Sequence, residues 1–389
     1  MGGVRAAMIS LTLRTAKRLQ KKAATIMNLR KLFIDVFDPQ PVEAAAVFID
    51  LPHGELHDNQ AWQDRRAMAE RWHAALSEFG AEKKFDVLPL VSFEATGMNN
   101  GQLPATGKQS GGSIKLEEIG ARATLLLAMT EFSASAPLIG WTKRFPQLRA
   151  ASMPRVAPEM ESTALAADYA QVARSCERLR ARLAAAHLAE IEFSTGDEFV
   201  FDFRFRVAEV DDGQLHRDAP KPRLINLPSG EAFTAAYEGE RDTPSLTSGI
   251  LPVPSENEVV RLRVNQNRVE EVIGETAASR KLRAFLLADP ARCNVAELGL
   301  GCNPKARVWG NVLEDEKAGP HIALGRSEHL GGITGPDAFS DPRHVWHEDF
   351  VFARESPIKI RRLTLVDASG HREPLFVDGS YVPELEIGI

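Results

Sequence analysis

The sequence predicts an α/β chain: an N-terminal α/β domain built on a mostly parallel sheet, then a β-rich α+β C-terminal domain that carries a metal site. Three observations lead there. Apolar runs alternate with helical spacing up to about residue 188, the hydrophobic pattern then changes to period two, and several turn-bounded segments of the second half each hold one acid or imidazole among small or apolar neighbours. The expected division is a leader over 1–27, an N-terminal domain over 28–188 and a C-terminal metal-binding domain over 189–389.

Residues 1–31 carry eight Lys or Arg and no acid, and up to about Ile26 they read as a disordered leader before Met27 or a transit-like amphipathic peptide. The apolar run 44–50 reads as a buried strand ending in Asp50. Helical spacing over 60–79 puts Trp62, Met68, Trp72, Leu76 and Phe79 near one face, and 85–91 is the next strand. Strand, helix and strand at these distances form a βαβ unit, hence a parallel sheet. The Gly/Asn/Pro/Ser-rich stretch 97–112 reads as a loop, 116–122 as a helix and 124–129 as a strand running into Glu131. Asp50 and Glu131, past the carboxyl ends of strands, either contribute to a cleft or are ordinary loop acids. Over 158–188 an Ala- and Arg-rich pattern predicts the longest helix, its charged face solvated or covering a subunit partner. Strands follow over 190–195 and 199–205 around Gly196-Asp197, then over 259–264 and 269–274, with a helix over 278–287.

Composition narrows the function. A hydrophobic share of 44% fits a folded globular chain, and no apolar run approaches the ~18 residues of a membrane span. The net charge of −6 hides an acidic body: outside residues 1–31, 39 basic residues face 53 acidic ones. That balance argues against a nucleic-acid partner. Cys176, Cys293 and Cys302 lack Cys-x-x-Cys spacing, so neither a disulfide frame nor a zinc ribbon is indicated, and a reducing cytoplasm is the expected home.

The chemistry concentrates in five residues. Glu231 heads an apolar strand after the turn Asn226-Leu227-Pro228-Ser229-Gly230, Glu297 lies in Ala296-Glu297-Leu298-Gly299-Leu300-Gly301, His321 opens His321-Ile322-Ala323-Leu324-Gly325, and His347 and Asp349 share one face of a strand at i and i+2. Burying such groups without partners costs several kcal/mol on the order of known desolvation penalties, which a shared cation offsets. Three carboxylates and two imidazoles exceed the needs of one structural zinc and suit two hydrolytic ions sharing a bridging carboxylate. Taken singly, each residue also has an ordinary reading: a turn acid, a satisfied core histidine, a hydrogen-bonded strand-end pair. No His-Glu-x-x-His, Walker loop, Gly-x-Ser-x-Gly or dinucleotide fingerprint is present.

In order and content, the segments around Glu231 and Glu297, Asp315-Glu316-Lys317 with His321-Ile322-Ala323-Leu324-Gly325, and His347-x-Asp349-Phe350 resemble the aminopeptidase T and aminopeptidase S family of dinuclear metallopeptidases. The resemblance covers most of the C-terminal half and, more weakly, the N-terminal half around Thr130-Glu131-Phe132-Ser133. It implies Glu231, Glu297, His321, His347 and Asp349 as ligands of two divalent ions (zinc, cobalt or manganese), Glu316 as a catalytic acid, a homodimer, and short peptides or small amides as substrates. One departure matters: seven residues after the ligand histidine the peptidases carry a catalytic tyrosine, and here Glu328 stands there. An ionised carboxylate cannot donate the phenol's hydrogen bond, which leaves His329 as the neighbour able to take that role. The alternatives are a mononuclear iron ring-cleaving dioxygenase similar to dihydroxypyridine dioxygenase, using His321, His347 and Asp349, and a metal-binding homologue without turnover. Retention of Glu231 and Glu297 speaks against the dioxygenase.

Overall fold

The computed structural model describes residues 28–218, 223–256 and 258–388; the leader expected over 1–27 lies outside them. Strand β1 (Ala44–Leu51) is buried along nearly its whole length, as a strand covered on both faces must be. Asn59 caps helix α1 (Gln60–Lys83) by accepting the Trp62 amide at 2.9 Å, and Lys84 ends the helix in a left-handed conformation. The five apolar residues read from the spacing line its buried side. The strand expected over 85–91 is two short pieces, β2 (Asp86–Val87) and β3 (Val91–Glu94), because Pro89 between them has no amide for a ladder.

Two further expectations are corrected. The stretch 97–112 is not all loop: a hairpin of β4 (Thr106–Gln109) and β5 (Gly112–Lys115) occupies its end, and this polar, largely exposed pair at the sheet's edge has no apolar alternation to betray it. After α2 (Leu116–Arg122), β6 (Leu125–Met129), α3 (Ser135–Arg144) and β7 (Arg149–Ser152), the long helix expected over 158–188 begins late. Pro158–Ser162 and Ala164–Ala166 are 3-10 turns, and Asp168 starts α4 (Tyr169–Ala185) by accepting the amides of Ala170 (3.1 Å) and Gln171 (3.2 Å).

The remaining strands are β8 (Leu188–Phe193), β9 (Glu198–Asp202), β10 (Glu209–Asp211), β11 (Leu224–Asn226), β12 (Glu231–Ala235), β13 (Ser248–Ser255), β14 (Glu258–Asn265), β15 (Arg268–Ile273), β16 (Val295–Gly301), β17 (Pro320–Gly325), β18 (His347–Val351), β19 (Ile360–Val366), β20 (Arg372–Val377) and β21 (Ser380–Tyr381), with helix α5 (Ala277–Leu287) after β15. Three sheets result. The first runs β11-β7-β6-β1-β3-β4-β5, with β2 beside β1; β11 through β3 are mutually parallel, and β11 comes from beyond residue 188. An eight-stranded antiparallel sheet runs from β15 to β21. The third, β10-β12-β16-β17-β18, is antiparallel throughout and holds the candidate ligands. One face of this third sheet sends Ala232, Leu298, Leu300, Ile322, Leu324 and Phe350 into a core shared with Trp72, Leu179 and Phe201, each large side chain contributing on the order of 1.5–3 kcal/mol.

The two acids, Asp50 inside the end of β1 and Glu131 just past β6, have structural partners. Asp50 is buried and accepts the Glu131 amide (2.9 Å) and Trp62 Nε1 (3.0 Å), while Glu131 accepts from Arg65 Nη1 at 2.6 Å. A second buried ion pair ties the first sheet to segments before and after it in the chain. Arg149 on β7 binds Glu43 (3.0 Å) and donates to the carbonyls of Leu215 (2.8 Å) and Phe37 (3.1 Å). Arg149→Met leaves the Glu43 carboxylate buried and unpaired. Urea unfolding is expected to read a loss of about 3–5 kcal/mol, with much of it recovered when Glu43 is also replaced by Leu.

Candidate metal centre

Register explains why the candidate ligands meet. On the face of the third sheet opposite the apolar core, Asp211 faces Glu231 across β10 and β12, Glu231 faces Gly301, Gly299 faces His321, Glu297 and Asp349 flank Ala323, and Gly325 faces His347. Directly opposed residues share a face. That face therefore carries all five ligands read from the sequence plus Asp211, interleaved with glycine and alanine. The cis Leu227–Pro228 peptide and Gly230, at φ 135°, bring the chain into β12 with Glu231 as its first residue.

The small residues make room. A Cβ on Gly299 would lie 2.0 Å from His321 Nε2, so the imidazole rests directly over the neighbouring strand. His321 Nε2 is 3.4 Å from Glu231 Oε2, 3.8 Å from Glu297 Oε1 and 4.0 Å from Asp349 Oδ1; His347 Nε2 is 3.3 Å from Glu297 Oε2 and 3.4 Å from Asp349 Oδ1. Ligand atoms about 2.0 Å from a tetrahedral ion stand roughly 3.3 Å apart, so this packing fits a coordination shell. Two overlapping groups form, Glu231 with Glu297 and His321, and Glu297 with His347 and Asp349. The hydrogen bonding fits a cation as well. Glu231 Oε2 and Asp349 Oδ1 are buried without a partner, while His347 Nδ1 donates to the Arg326 carbonyl at 2.7 Å, which turns Nε2 toward the carboxylates as the atom that would ligate a metal once it gives up its proton.

Electrostatics in the metal-free protein agree. Burial opposes charge on His321, but Glu297, Glu231 and Asp349 outweigh it and push the imidazole up to about 10; His347 is likewise held well above the usual histidine range by Asp349 and Glu297. Burial alone would raise Glu297, yet the two histidines bring it well below the ordinary carboxylate range. Both imidazoles thus serve as cations where no metal is bound.

The three expected catalytic residues lie differently. Glu316 belongs to neither ligand group: its Oε1 is 2.7 Å from Lys317 Nζ, and burial, with Glu231 and Asp349 nearby, pushes its carboxyl up to about 8 against the pull of Lys317. Glu328 accepts from Arg326 Nε (2.7 Å) and Nη2 (3.0 Å) at the surface. His329, exposed at the rim, stacks edge-on against His347, ring centroids 5.1 Å apart, and crowding by surrounding protein atoms together with the neighbouring His347 and Arg326 charges holds it below the usual histidine range, leaving a neutral ring.

Two residues escape the sequence reading. Lys317 is fully buried and bonds Glu231 and Glu316, with Asp211 Oδ2 3.6 Å away. Burial pushes Asp211 up to about 7, the Lys317 ammonium only partly offsetting it. The signal for Lys317 lies in Asp315-Glu316-Lys317 itself, where a lysine next to two acids reads as a solvated ion pair. Nothing in Val210-Asp211-Asp212 distinguishes Asp211 from a turn acid.

Two outcomes are expected. Binding of a divalent ion through both Nε2 atoms displaces two protons at pH 7, because both rings are protonated without metal and neutral with it. Affinity therefore rises with pH, by roughly a hundredfold per unit while both remain protonated, and titration calorimetry in buffers of different ionisation enthalpy measures the proton count. Gly299→Ala forces His321 aside and lowers metal affinity by at least about 10–100-fold while the thermal melt of the metal-free protein shows the fold retained.

No family model and no curated protein matches the chain. Solved structures do. A 2,5-dihydroxypyridine dioxygenase from Pseudomonas putida KT2440 is similar over 91% of this chain and 96% of its own, with a TM-score of 0.61 and 16% identity. AmpT from Thermus thermophilus is similar over 91% of this chain and 99% of its own, with a TM-score of 0.54 and 17% identity. At these identities the likeness establishes the fold, and the chain has a two-part α/β architecture like that of AmpT, with a candidate metal-binding cluster on its antiparallel third sheet.

Proposed function

We propose that this protein is a metal-dependent hydrolase that removes N-terminal residues from short peptides or cleaves related small amides. The observation that supports it is Glu297, a buried carboxylate that belongs to both ligand groups and lies within 3.8 Å of both imidazoles. A centre with more carboxylates than a bare two-histidine, one-carboxylate set has an acid to spare for proton transfer. Glu231, Glu297, His321, His347 and Asp349 would hold a divalent ion of the zinc, cobalt or manganese kind, which would supply Lewis acidity and acidify a water.

The chain's own groups do the rest. His347 is kept in the metal-binding tautomer by the Arg326 carbonyl. Glu316, whose carboxyl holds a proton near neutrality, would pass a proton to the leaving amine. Glu328 is tied to Arg326 and has no proton to donate, so the neutral His329 ring against His347 takes the oxyanion-facing role that a phenol fills in the peptidases. The homodimer and the cytoplasmic setting belong to this same reading. Among the described residues no helix is long and apolar enough to cross a membrane.

A second reading, a mononuclear iron ring-cleaving dioxygenase, would use His321, His347 and Asp349, and one feature favours it: Asp349 Oδ1 lies between the two imidazoles, 4.0 Å from His321 Nε2 and 3.4 Å from His347 Nε2, while Glu231 gives one oxygen to Lys317. The two readings separate in the flask. Hydrolysis of an aminoacyl-amide panel is expected, abolished by chelator and lowered more than about 100-fold in Glu297→Ala and His347→Ala. Unchanged turnover in both variants would sink the site assignment, and iron in the isolated protein with oxygen uptake on a dihydroxypyridine would replace the hydrolase with the dioxygenase.

A further inference from the structure

We infer that Lys317 is a built-in second cation: its ammonium, bonded to Glu231 and flanked by Glu316 and Asp211, takes the carboxylate that the Glu231, Glu297 and His321 group would need for a second metal ion, so that each chain holds one divalent ion. The inference rests on the assignment of the ligand cluster made above, not on the reaction the cluster performs.

Four observations converge. Lys317 is fully buried, and its Nζ bonds Glu231 Oε1, stands 2.7 Å from Glu316 Oε1 and 3.6 Å from Asp211 Oδ2. Three carboxylates around one point is a donor set suited to a hard divalent ion, and here the point is occupied by a nitrogen tethered to the backbone. Glu231 is divided between two cations: Oε1 goes to the ammonium, while Oε2 has no hydrogen-bond partner and lies 3.4 Å from His321 Nε2 in the ligand group. Asp211 is more than nine-tenths buried, and neither of its oxygens has a hydrogen-bond partner, so its charge is answered by Lys317 across 3.6 Å.

The fourth observation concerns the backbone. A Cβ on Gly301 would meet the Glu316 carbonyl oxygen at 2.2 Å and the Lys317 carbonyl carbon at 2.6 Å, so the turn bearing the lysine is pressed onto β16. The Asn303 amide donates to the Lys317 carbonyl at 3.0 Å and holds it there. The backbone that carries the ammonium is thereby fixed beside Glu231, and a second divalent ion in the Glu231, Glu297 and His321 group would share that carboxylate with a positive charge in a buried, weakly screened site. The count of two ions expected from three carboxylates and two imidazoles leaves this lysine out, and including it reduces the count to one.

The test is metal stoichiometry on the full chain. Protein stripped with chelator, loaded with excess zinc and freed of unbound metal is expected to retain one zinc per chain by plasma mass spectrometry. Lys317→Ala, which frees Glu231, Glu316 and Asp211, is expected to retain two, and Lys317→Arg one. Manganese loading gives a second readout: an isolated-ion EPR spectrum from the wild type and an exchange-coupled one from Lys317→Ala. Two ions or a coupled spectrum in the wild type overturn the inference, as does a single ion in a Lys317→Ala protein whose circular dichroism matches the wild type. Should Lys317→Ala fail to fold, the wild-type count and EPR spectrum decide alone. One ion without amide hydrolysis would sink the proposed reaction and leave this inference standing, whereas two ions with hydrolysis would do the reverse. A wild type that binds none would end both.

Discussion

Four carboxylates and two imidazoles share one face of a five-stranded sheet, and the C-terminal half of the molecule is arranged around keeping that charge tolerable. Asp211, Glu231, Glu297 and His321 are each more than nine-tenths buried, in surroundings where an unpaired ion costs several kcal/mol on the order of its desolvation penalty. The face answers with positive charge at short range, from two histidines that protonate when no metal is present and from Lys317, buried in the turn Glu316–Ala318, and its carboxylate oxygens are grouped closely enough to hold a divalent ion. Elsewhere among the described residues buried charges are answered by closed pairs, as Arg149 with Glu43 and Arg65 with Glu131, or by hydrogen-bond donors, as Asp50 by Trp62 and the Glu131 amide. The third sheet differs in leaving carboxylate oxygens both buried and open toward one another.

The geometry follows from the two-residue repeat of a pleated strand. Alternate residues of β16 and β17 divide cleanly, with Leu298, Leu300, Ile322 and Leu324 on the core side and Glu297, Gly299, Gly301, His321 and Ala323 on the other. The apolar side fixes the register, because a slip of one residue would exchange every leucine for a ligand or a glycine. The same hydrophobic burial that stabilises the sheet thus aligns its chemistry. Glycine does the complementary work of leaving space: Gly299 beneath His321 and Gly301 beneath the Lys317 turn are positions where a methyl group does not fit.

How much of this is legible in the sequence depends on range. Helix α1, strands β1 and β6 and the paired His347 and Asp349 are local patterns, and apolar period or spacing reveals them. The polar hairpin over 106–115 escapes because an exposed edge needs no alternation, and the start of α4 escapes because the capping Asp168 looks like any other acid in an Ala- and Arg-rich stretch. The candidate ligands are legible as lone polar groups in apolar runs. Lys317 and Asp211 are not, since their meaning arises only when β10, β12 and the turn after β16 come together, Asp211 and Lys317 being more than a hundred residues apart. Asp50 and Glu131 show the converse, acids at suggestive strand ends whose hydrogen bonds are spent on Trp62, Arg65 and backbone amides.

The strand β11 adds to the parallel first sheet and, after only Leu227 to Gly230, the chain enters β12 with Glu231. Four intervening residues span at most about 17 Å even when drawn straight. This tether holds the Glu231 end of the metal face at a short, fixed distance from the parallel first sheet, while His347 and Asp349 stand at the opposite border of the third sheet, on its last strand β18.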